Sequence, residues 1–237
     1  MTTTDSLNKT SPTTDDTRLA GVTLRRWTCG TALILFPALL VVQALITPED
    51  GEGAAMYTAA TEHRTALLAS AALLIISGVL MAPAAVAITH QARSRGSALA
   101  NWAAVTAVLG GIGHIAIGYF YVISSALAGG DRTEMVAFIE RLNASPALGL
   151  FVFPFIMSFS LGVLLLTWAA HRAGLIGLWG PIVTTIAVLQ HLALPPSVPG
   201  QETINTLALI SVTVVLGYLG TRVLRMSDTA WAPRSAH

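Results

Sequence analysis

The feature that most constrains this chain is the spacing of its charged residues. Six stretches contain no Asp, Glu, Lys or Arg, namely 27–48, 65–92, 96–130, 142–171, 173–201 and 203–221. Each stretch can hold about 20 residues of helix, the length needed to cross a hydrocarbon core of about 30 Å. The sequence therefore predicts an all-α membrane bundle with six transmembrane helices and no soluble domain.

Composition argues against the alternative fold classes. Hydrophobic residues make up 54% of the 237 residues and charged residues 11%, whereas about 25% of the residues in a soluble domain are charged. Segments such as 67–88 and 151–168 are apolar around the whole helix, so they lack the polar stripe of a helix in a soluble bundle. None of the stretches alternates in polarity as the strands of a membrane β-barrel do.

The chain divides into three parts by polarity. Residues 1–21 are rich in Thr, Ser and Asp, which favours a disordered cytoplasmic tail. Residues 22–226 form the predicted membrane domain, and residues 227–237 a cytoplasmic C-terminal tail. A cleaved signal peptide is the competing interpretation of the first span, but the polar leader before it is long for one. The spans are predicted at about 27–47, 66–90, 98–127, 147–170, 174–194 and 203–222.

Basic residues are distributed unequally between alternate loops. Because Lys and Arg resist translocation, the side that carries more of them is expected to be cytoplasmic. One side carries ten and the other three, which predicts that both termini lie in the cytoplasm. The ten are Lys9, Arg18, Arg25, Arg26, Arg93, Arg95, Arg172, Arg222, Arg225 and Arg234, and the three are Arg64, Arg132 and Arg141. The excess of Arg over Lys is typical of a GC-rich bacterial genome, so the expected location is a bacterial plasma membrane.

Net charge and cysteine content narrow the classes of function. The formal net charge is +1, and there is no cluster of basic residues with interleaved aromatics, which argues against nucleic-acid binding. Cys29 is the only cysteine, so an internal disulfide and a cysteine-rich metal site are excluded. Hydrolase motifs such as GxSxG and HExxH are absent, which disfavours an enzyme. The expected partners are the lipid bilayer, a small-molecule ligand, and a membrane protein or a second copy of the chain.

The loop between the third and fourth spans carries the signature of a short helix. Asp131 occupies the position of an N-cap, Glu134 follows three residues later, and apolar residues recur at helical spacing up to Leu142. The pattern predicts an amphipathic helix on the outer membrane surface. Such a helix could cover an outward-facing pocket.

The turn between the fourth and fifth spans carries a resemblance to a known group. The motif AGLIGLWGP at 173–181, together with the order of loops around it, resembles the uncharacterised bacterial six-helix membrane proteins that are classed only as a domain of unknown function. The resemblance covers about 20–225. It implies a six-helix membrane bundle, and it implies no activity and no site residues.

Polar side chains inside the spans are the first candidates for function, because polar groups in hydrocarbon are costly and usually face the interior of a bundle. By their positions along the spans, the candidates all lie in the outer half of the membrane. His114 is the sharpest of them, since Gly110, Gly118 and Tyr121 share its face by helical spacing. A hydrogen bond between two packed helices is the simpler role for His114. The candidate ligand-binding residues are Gln43, His63, His114, Tyr121, Gln190 and His191.

Matched depth raises the possibility of a cofactor. His191 lies about 22 Å along its span from the inner end, near the depth expected for His114. Two facing imidazoles could ligate a b-type haem, or a transition metal together with His63 and Glu62. No CxxCH or other spacing signature of such a site is present, so the sequence leaves open whether a haem or a metal is bound.

Two further histidines have a simpler explanation. His90 and His171 end the second and fourth spans on the arginine-rich side, next to Arg93 and Arg172. Cations are favoured at helix C-termini, so the helix dipole accounts for both without a site.

Three hypotheses of function follow from these residues. The favoured one is a protein that binds or transports a small molecule or hydrophobic ligand through an outward-facing polar pocket. The second is a non-catalytic membrane scaffold or regulatory subunit, with the N-terminal tail as a flexible partner-binding segment. The third is a haem or metal-binding redox protein that uses the intramembrane histidines.

Overall fold

A computed structural model describes residues 14–48, 53–94, 96–193, 198 and 200–232. Within these residues the chain is helical, without strands. The helices are α1 Thr14–Ile46, α2 Gly53–Glu62, α3 Arg64–Gln91, α4 Ser97–Ser124, α5 Arg132–Asn143, α6 Pro146–Arg172, α7 Trp179–Ala193, α8 Gln201–Leu224 and α9 Asp228–Trp231. Two 3₁₀ turns, Ala92–Ser94 and Ser125–Gly129, follow α3 and α4. The predicted all-α class is confirmed over this part of the chain.

Five of the helical segments are long and apolar enough to cross a membrane, as a multi-pass membrane protein requires. They are Gly21–Ile46, Arg64–Gln91, Ser97–Gly129, Pro146–Arg172 and Gln201–Leu224. Each corresponds to one of the predicted spans. The helix α1 begins at Thr14, within the segment predicted as a tail, where Arg, Leu and Ala at 18–20 favour helix. Residues 1–13 lie outside the described residues.

The fifth predicted span, 174–194, differs from the structure. Gly174 adopts a left-handed φ of 74°, and the amide of Leu175 donates to the carbonyl of Ala170, which closes α6 with a tight turn. The helix α7 starts only at Trp179 and has 15 residues, about 22 Å of rise. Its described part is therefore shorter than a full crossing, and residues 194–197 lie outside the described residues.

The long helices pack in chain order. The helix α1 packs against α3, α3 against α4, α4 against α6, α6 against α7, and α7 against α8, while α8 returns to α1. Glycine lets the backbones approach closely at three of these seams. The closest approaches join Gly78 to Gly111 between α3 and α4, Gly110 to Phe159 between α4 and α6, and Gly30 to Gly220 between α1 and α8. The contacts of α7 with its neighbours are less extensive.

Two short helices pack together at the end of the bundle opposite the arginines. Asp131 caps α5 by accepting from the amides of Thr133 and Glu134, so the predicted capped helix is confirmed. The helix α2 was not predicted. Gly53 at its start approaches the carbonyl of Val136 on α5. The sequence predicted only that α5 could cover an outward-facing pocket; in the structure α5 packs chiefly on α2 and not over the space between α6, α7 and α8.

The C-terminal segment docks on the arginine-rich end. Asp228 accepts from Arg26 Nε at 3.0 Å and from the Thr23 hydroxyl at 2.6 Å. The Trp231 ring is buried and stacks on His90 with a centroid distance of 4.4 Å, and His90 Nε2 donates to the Trp231 carbonyl. Part of the predicted tail is thus a docked helix, and His90 is a packing partner rather than only a helix-end charge. Residues 233–237 lie outside the described residues.

Candidate functional site

A narrow cleft lies between α6, α7 and α8, where the helix packing is loosest. Its volume is about 100 Å³, and its walls are mainly apolar. Ser160, His191 and Asn205 are the polar residues among those that line it. The lining consists of Phe159, Ser160, Val163, Ala187, Val188, His191, Asn205, Ala208, Leu209 and Val212.

A cluster of three polar side chains joins α7 to α8 beside this cleft. The Oδ1 atom of Asn205 accepts from Gln190 Nε2 at 3.0 Å and from His191 Nδ1 at 3.4 Å. The structure therefore brings together Gln190 and His191 of the predicted set. Asn205 was missed by sequence reasoning, although the same signal marks it: a polar amide within the charge-free stretch 203–221.

The cluster leaves two hydrogen-bond acceptors without partners among the described residues. When His191 Nδ1 carries the proton that it donates to Asn205, its Nε2 atom holds a free lone pair. The Oε1 atom of Gln190 is buried and has no hydrogen-bond partner in that part of the chain. A buried acceptor without a donor is costly, so the cluster favours a molecule that supplies a hydroxyl or amine proton.

His114 lies in a different place, the seam between α4 and α6. Its ring meets the Phe159 ring edge-on with a centroid distance of 4.4 Å. Its Nδ1 atom is buried and forms no hydrogen bond of normal geometry to a described residue. Phe159 also lines the cleft, whereas His114 does not. Phe159 therefore separates His114 from the cleft that His191 lines, so we find no support for two facing imidazoles.

The glycines around His114 belong to two seams rather than one. Gly110 and Gly113 face α6 at Phe159 and Phe155, whereas Gly118 faces the carbonyl of Ala71 on α3. The expectation that Gly110 and Gly118 share a ligand-binding face with His114 is therefore not met. By helical spacing, Gly110, His114 and Gly118 lie on one broad side of α4. Part of that side packs against α6 and part against α3.

The other three predicted residues lie away from the cleft. Tyr121 is buried near the end of α4. Gln43 Nε2 donates to the Thr47 hydroxyl at 2.6 Å, and the Thr47 and Ser70 hydroxyls are hydrogen-bonded at 3.0 Å, which joins the end of α1 to α3. His63 is exposed in the one-residue connection between α2 and α3. None of the three lines the cleft.

The residues present do not assemble the metal site that the sequence allowed. Within the described ranges no three His, Cys, Asp or Glu side chains come together in a position to hold a metal ion. Glu62 and His63 are exposed at the junction of α2 and α3. A haem held by His114 and His191 would need both imidazoles in one space, and only His191 lines the cleft.

Comparisons with known proteins supply no function for this chain. Neither a protein-family model, a curated protein nor a solved structure matches this chain. The chemistry of the cleft and of the cluster formed by Gln190, His191 and Asn205 is therefore what indicates a function.

Proposed function

We propose that the protein binds a small hydrophobic molecule that carries a hydrogen-bond donor, and that the cleft between α6, α7 and α8 holds it. The single observation that carries this proposal is an apolar cleft that contains His191 and Asn205. Apolar walls favour a hydrocarbon body, and a few placed polar groups fix its orientation. Such a site suits a carrier or transporter of small molecules in the membrane.

The size of the cleft limits the ligand. A cavity of about 150 Å³ is known to hold benzene, and this cleft measures about 100 Å³. A short alkyl chain or part of one small ring fits, with the remainder of the ligand outside the cleft. The hydroxyl or amine of the ligand would donate to Nε2 of His191, which lines the cleft.

The cleft is tested by filling it. Ala208 lies in its lining, so Ala208→Phe is expected to weaken binding of 4-fluorobenzyl alcohol to the purified protein at least tenfold, as measured by fluorine NMR against empty micelles. Val214→Phe is the matched control, since Val214 is 60% exposed on the same helix, and it should leave binding unchanged. Equal binding by wild type and Ala208→Phe would contradict the assignment of this cleft.

The donor preference is tested in the same assay. The wild-type protein should prefer 4-fluorobenzyl alcohol to 4-fluorotoluene, which has the same ring and no donor. Replacing His191 and Asn205 together by alanine should remove this preference, because the acceptor His191 Nε2 and the Asn205 side chain that orients His191 are then both lost. A preference that survives the double substitution would place the polar end of the ligand elsewhere.

We further propose that α7 is a sixth span and that both termini lie in the cytoplasm of a bacterial cell. The ten-to-three distribution of basic residues supports this orientation. Trp27, Trp102 and Trp179 are exposed near the arginine-rich ends of their helices, where indole rings favour the membrane interface. The cluster of Gln190, His191 and Asn205 then lies toward the outside.

Reporter fusions test this orientation. Alkaline phosphatase is active only outside the cytoplasm, so a fusion after Gly53 is expected to be active and a fusion after Gly96 inactive. A fusion after Gly200 should be active if α7 crosses the membrane. The reverse pattern at Gly53 and Gly96 would overturn the orientation, and an inactive fusion at Gly200 would remove the sixth span.

A further inference from the structure

A second groove lies on the arginine-rich side of the bundle, between the start of α4 and the end of α6. Its volume is about 400 Å³, and it is separate from the proposed ligand cleft. Its walls are Leu99, Leu165, Trp168, His171 and Arg172. The groove therefore combines an apolar wall with one guanidinium group.

The polar side chains of this groove are held in place by neighbouring elements. The indole Nε1 of Trp168 donates to the Thr185 hydroxyl on α7 at 3.3 Å. His171 Nδ1 donates to the carbonyl of Ile176 at 3.1 Å. A Cβ atom added at Gly96 would lie 3.4 Å from Cβ and 3.7 Å from Cδ of Arg172, so the stem of Arg172 runs along the backbone just before α4.

Among the described side chains, no carboxylate forms an ion pair with the positive charge at this groove. The only ion pair within the described residues joins Arg26 to Asp228. Arg172 is exposed, and Arg93 is exposed on the 3₁₀ turn that packs against both α4 and α6. Two guanidinium groups therefore stand at one corner of the bundle without an acidic partner among the side chains that the structure describes, and of the two only Arg172 lines the groove.

We propose that this groove binds an anionic phospholipid, with the phosphate at Arg172 and one acyl chain along Leu99, Leu165 and Trp168. The planar guanidinium donates to phosphate oxygens in a bidentate manner. The apolar wall gains by burial of hydrocarbon, which a soluble anion does not supply. Basic pockets between spans on the cytoplasmic side are suited to anionic headgroups.

The position of Trp168 in the groove provides the assay. The protein is reconstituted in phosphatidylcholine vesicles that contain increasing fractions of a brominated lipid, either phosphatidylglycerol or phosphatidylcholine. Bromine quenches indole fluorescence at short range, and the contribution of Trp168 is obtained by subtracting a Trp168→Phe background. Half-maximal quenching of Trp168 is expected at about a fivefold lower fraction of the anionic lipid, the ratio that one basic residue near a membrane surface provides.

Two variants separate the groove from general surface charge. Arg172→Gln is expected to bring the two lipids to the same half-maximal fraction, whereas Arg225→Gln, which removes an equal charge from the same side, should leave the preference within about a factor of two. Leu99→Phe narrows the groove and should reduce quenching by both lipids. Excess soluble glycerol phosphate should leave the preference in place. Equal quenching by both lipids in the wild type, or a preference unaffected by Arg172→Gln, would overturn the proposal.

Discussion

Replacing Gly110 by alanine is expected to lower the free energy of unfolding by about 1–3 kcal/mol, the usual cost of overpacking a tight interior. A Cβ atom at Gly110 would lie 2.4 Å from Cα and 2.6 Å from N of Phe159. Both contacts are to backbone, so a side-chain rotation cannot relieve them. The helices α4 and α6 must then move apart along their seam, and dispersion contacts are lost on both sides.

The measurement is reversible unfolding in mixed micelles, followed by circular dichroism. Gly217→Ala is the matched control, because Gly217 is also a glycine within a long helix, α8, and a Cβ atom there would meet nothing within 4 Å. That control should be neutral or slightly stabilising, since alanine favours helix over glycine by about 1 kcal/mol. Equal effects of the two substitutions would show that the α4–α6 seam is not closely packed.

Gly110→Ala should also alter the shape of the ligand cleft. Phe159 lines the cleft and packs against His114, so a shift of α6 at Gly110 moves one wall of the cleft. Gly110→Ala is therefore expected to weaken binding of 4-fluorobenzyl alcohol, whereas Gly217→Ala should not. This coupling follows from position alone, because Gly110 itself does not line the cleft.

The sequence predicted the long helices well because lipid imposes a simple rule. A charge-free stretch of sufficient length must satisfy its backbone hydrogen bonds internally, and a helix does so. The predicted start of the fifth span was wrong because Gly174, which has a positive φ, ends α6 in a compact turn. The helix α2 was missed because its support is non-local: it packs against α5, more than 70 residues later.

The position of each polar residue along its helix could be predicted from the sequence, but the direction in which its side chain points could not. Depth along a span follows from the rise of 1.5 Å per residue, and it placed His114 and His191 at similar depths in the prediction. The rotation of each helix depends on which glycine seam it makes with its neighbours. The contact of Gly110 with Phe159 turns His114 into the α4–α6 seam, so similar depth did not bring it to His191.

The docked C-terminal helix could not be expected from local signals. A helix of four residues is too short to form by itself, because nucleation fixes several dihedral angles for a single hydrogen bond. Ser227 caps α9 by accepting from the amide of Ala230. The burial of Trp231 and the ion pair of Asp228 with Arg26 supply what the local sequence lacks.

Replacing Trp231 by alanine is expected to undock α9. Trp231 is 1% exposed, and truncation of a buried tryptophan costs about 3–5 kcal/mol. Because α9 can open as a unit, the loss should appear locally, as an increase of at least about 100-fold in hydrogen exchange at the amides of Ala230 and Ala232. Trp102→Ala, at a position that is 67% exposed, is the control and should leave these amides unchanged.

The ion pair at α9 should add a dependence on pH that distinguishes docking from general loosening. The pKa of the Asp228 carboxyl lies below its ordinary value, because the Thr23 hydroxyl and then Arg26 donate hydrogen bonds to the carboxylate. The carboxylate therefore stabilises docking fully above the ordinary pKa of an Asp side chain, about 3.9, and the stabilisation is lost as the pH falls through the lowered pKa. At pH 7, hydrogen exchange at the amides of Ala230 and Ala232 should be faster in Asp228→Asn than in the wild type. The two exchange rates should converge in acid. If Trp231→Ala left the exchange of Ala230 and Ala232 unchanged at pH 7, then α9 would not be held by its contact with His90.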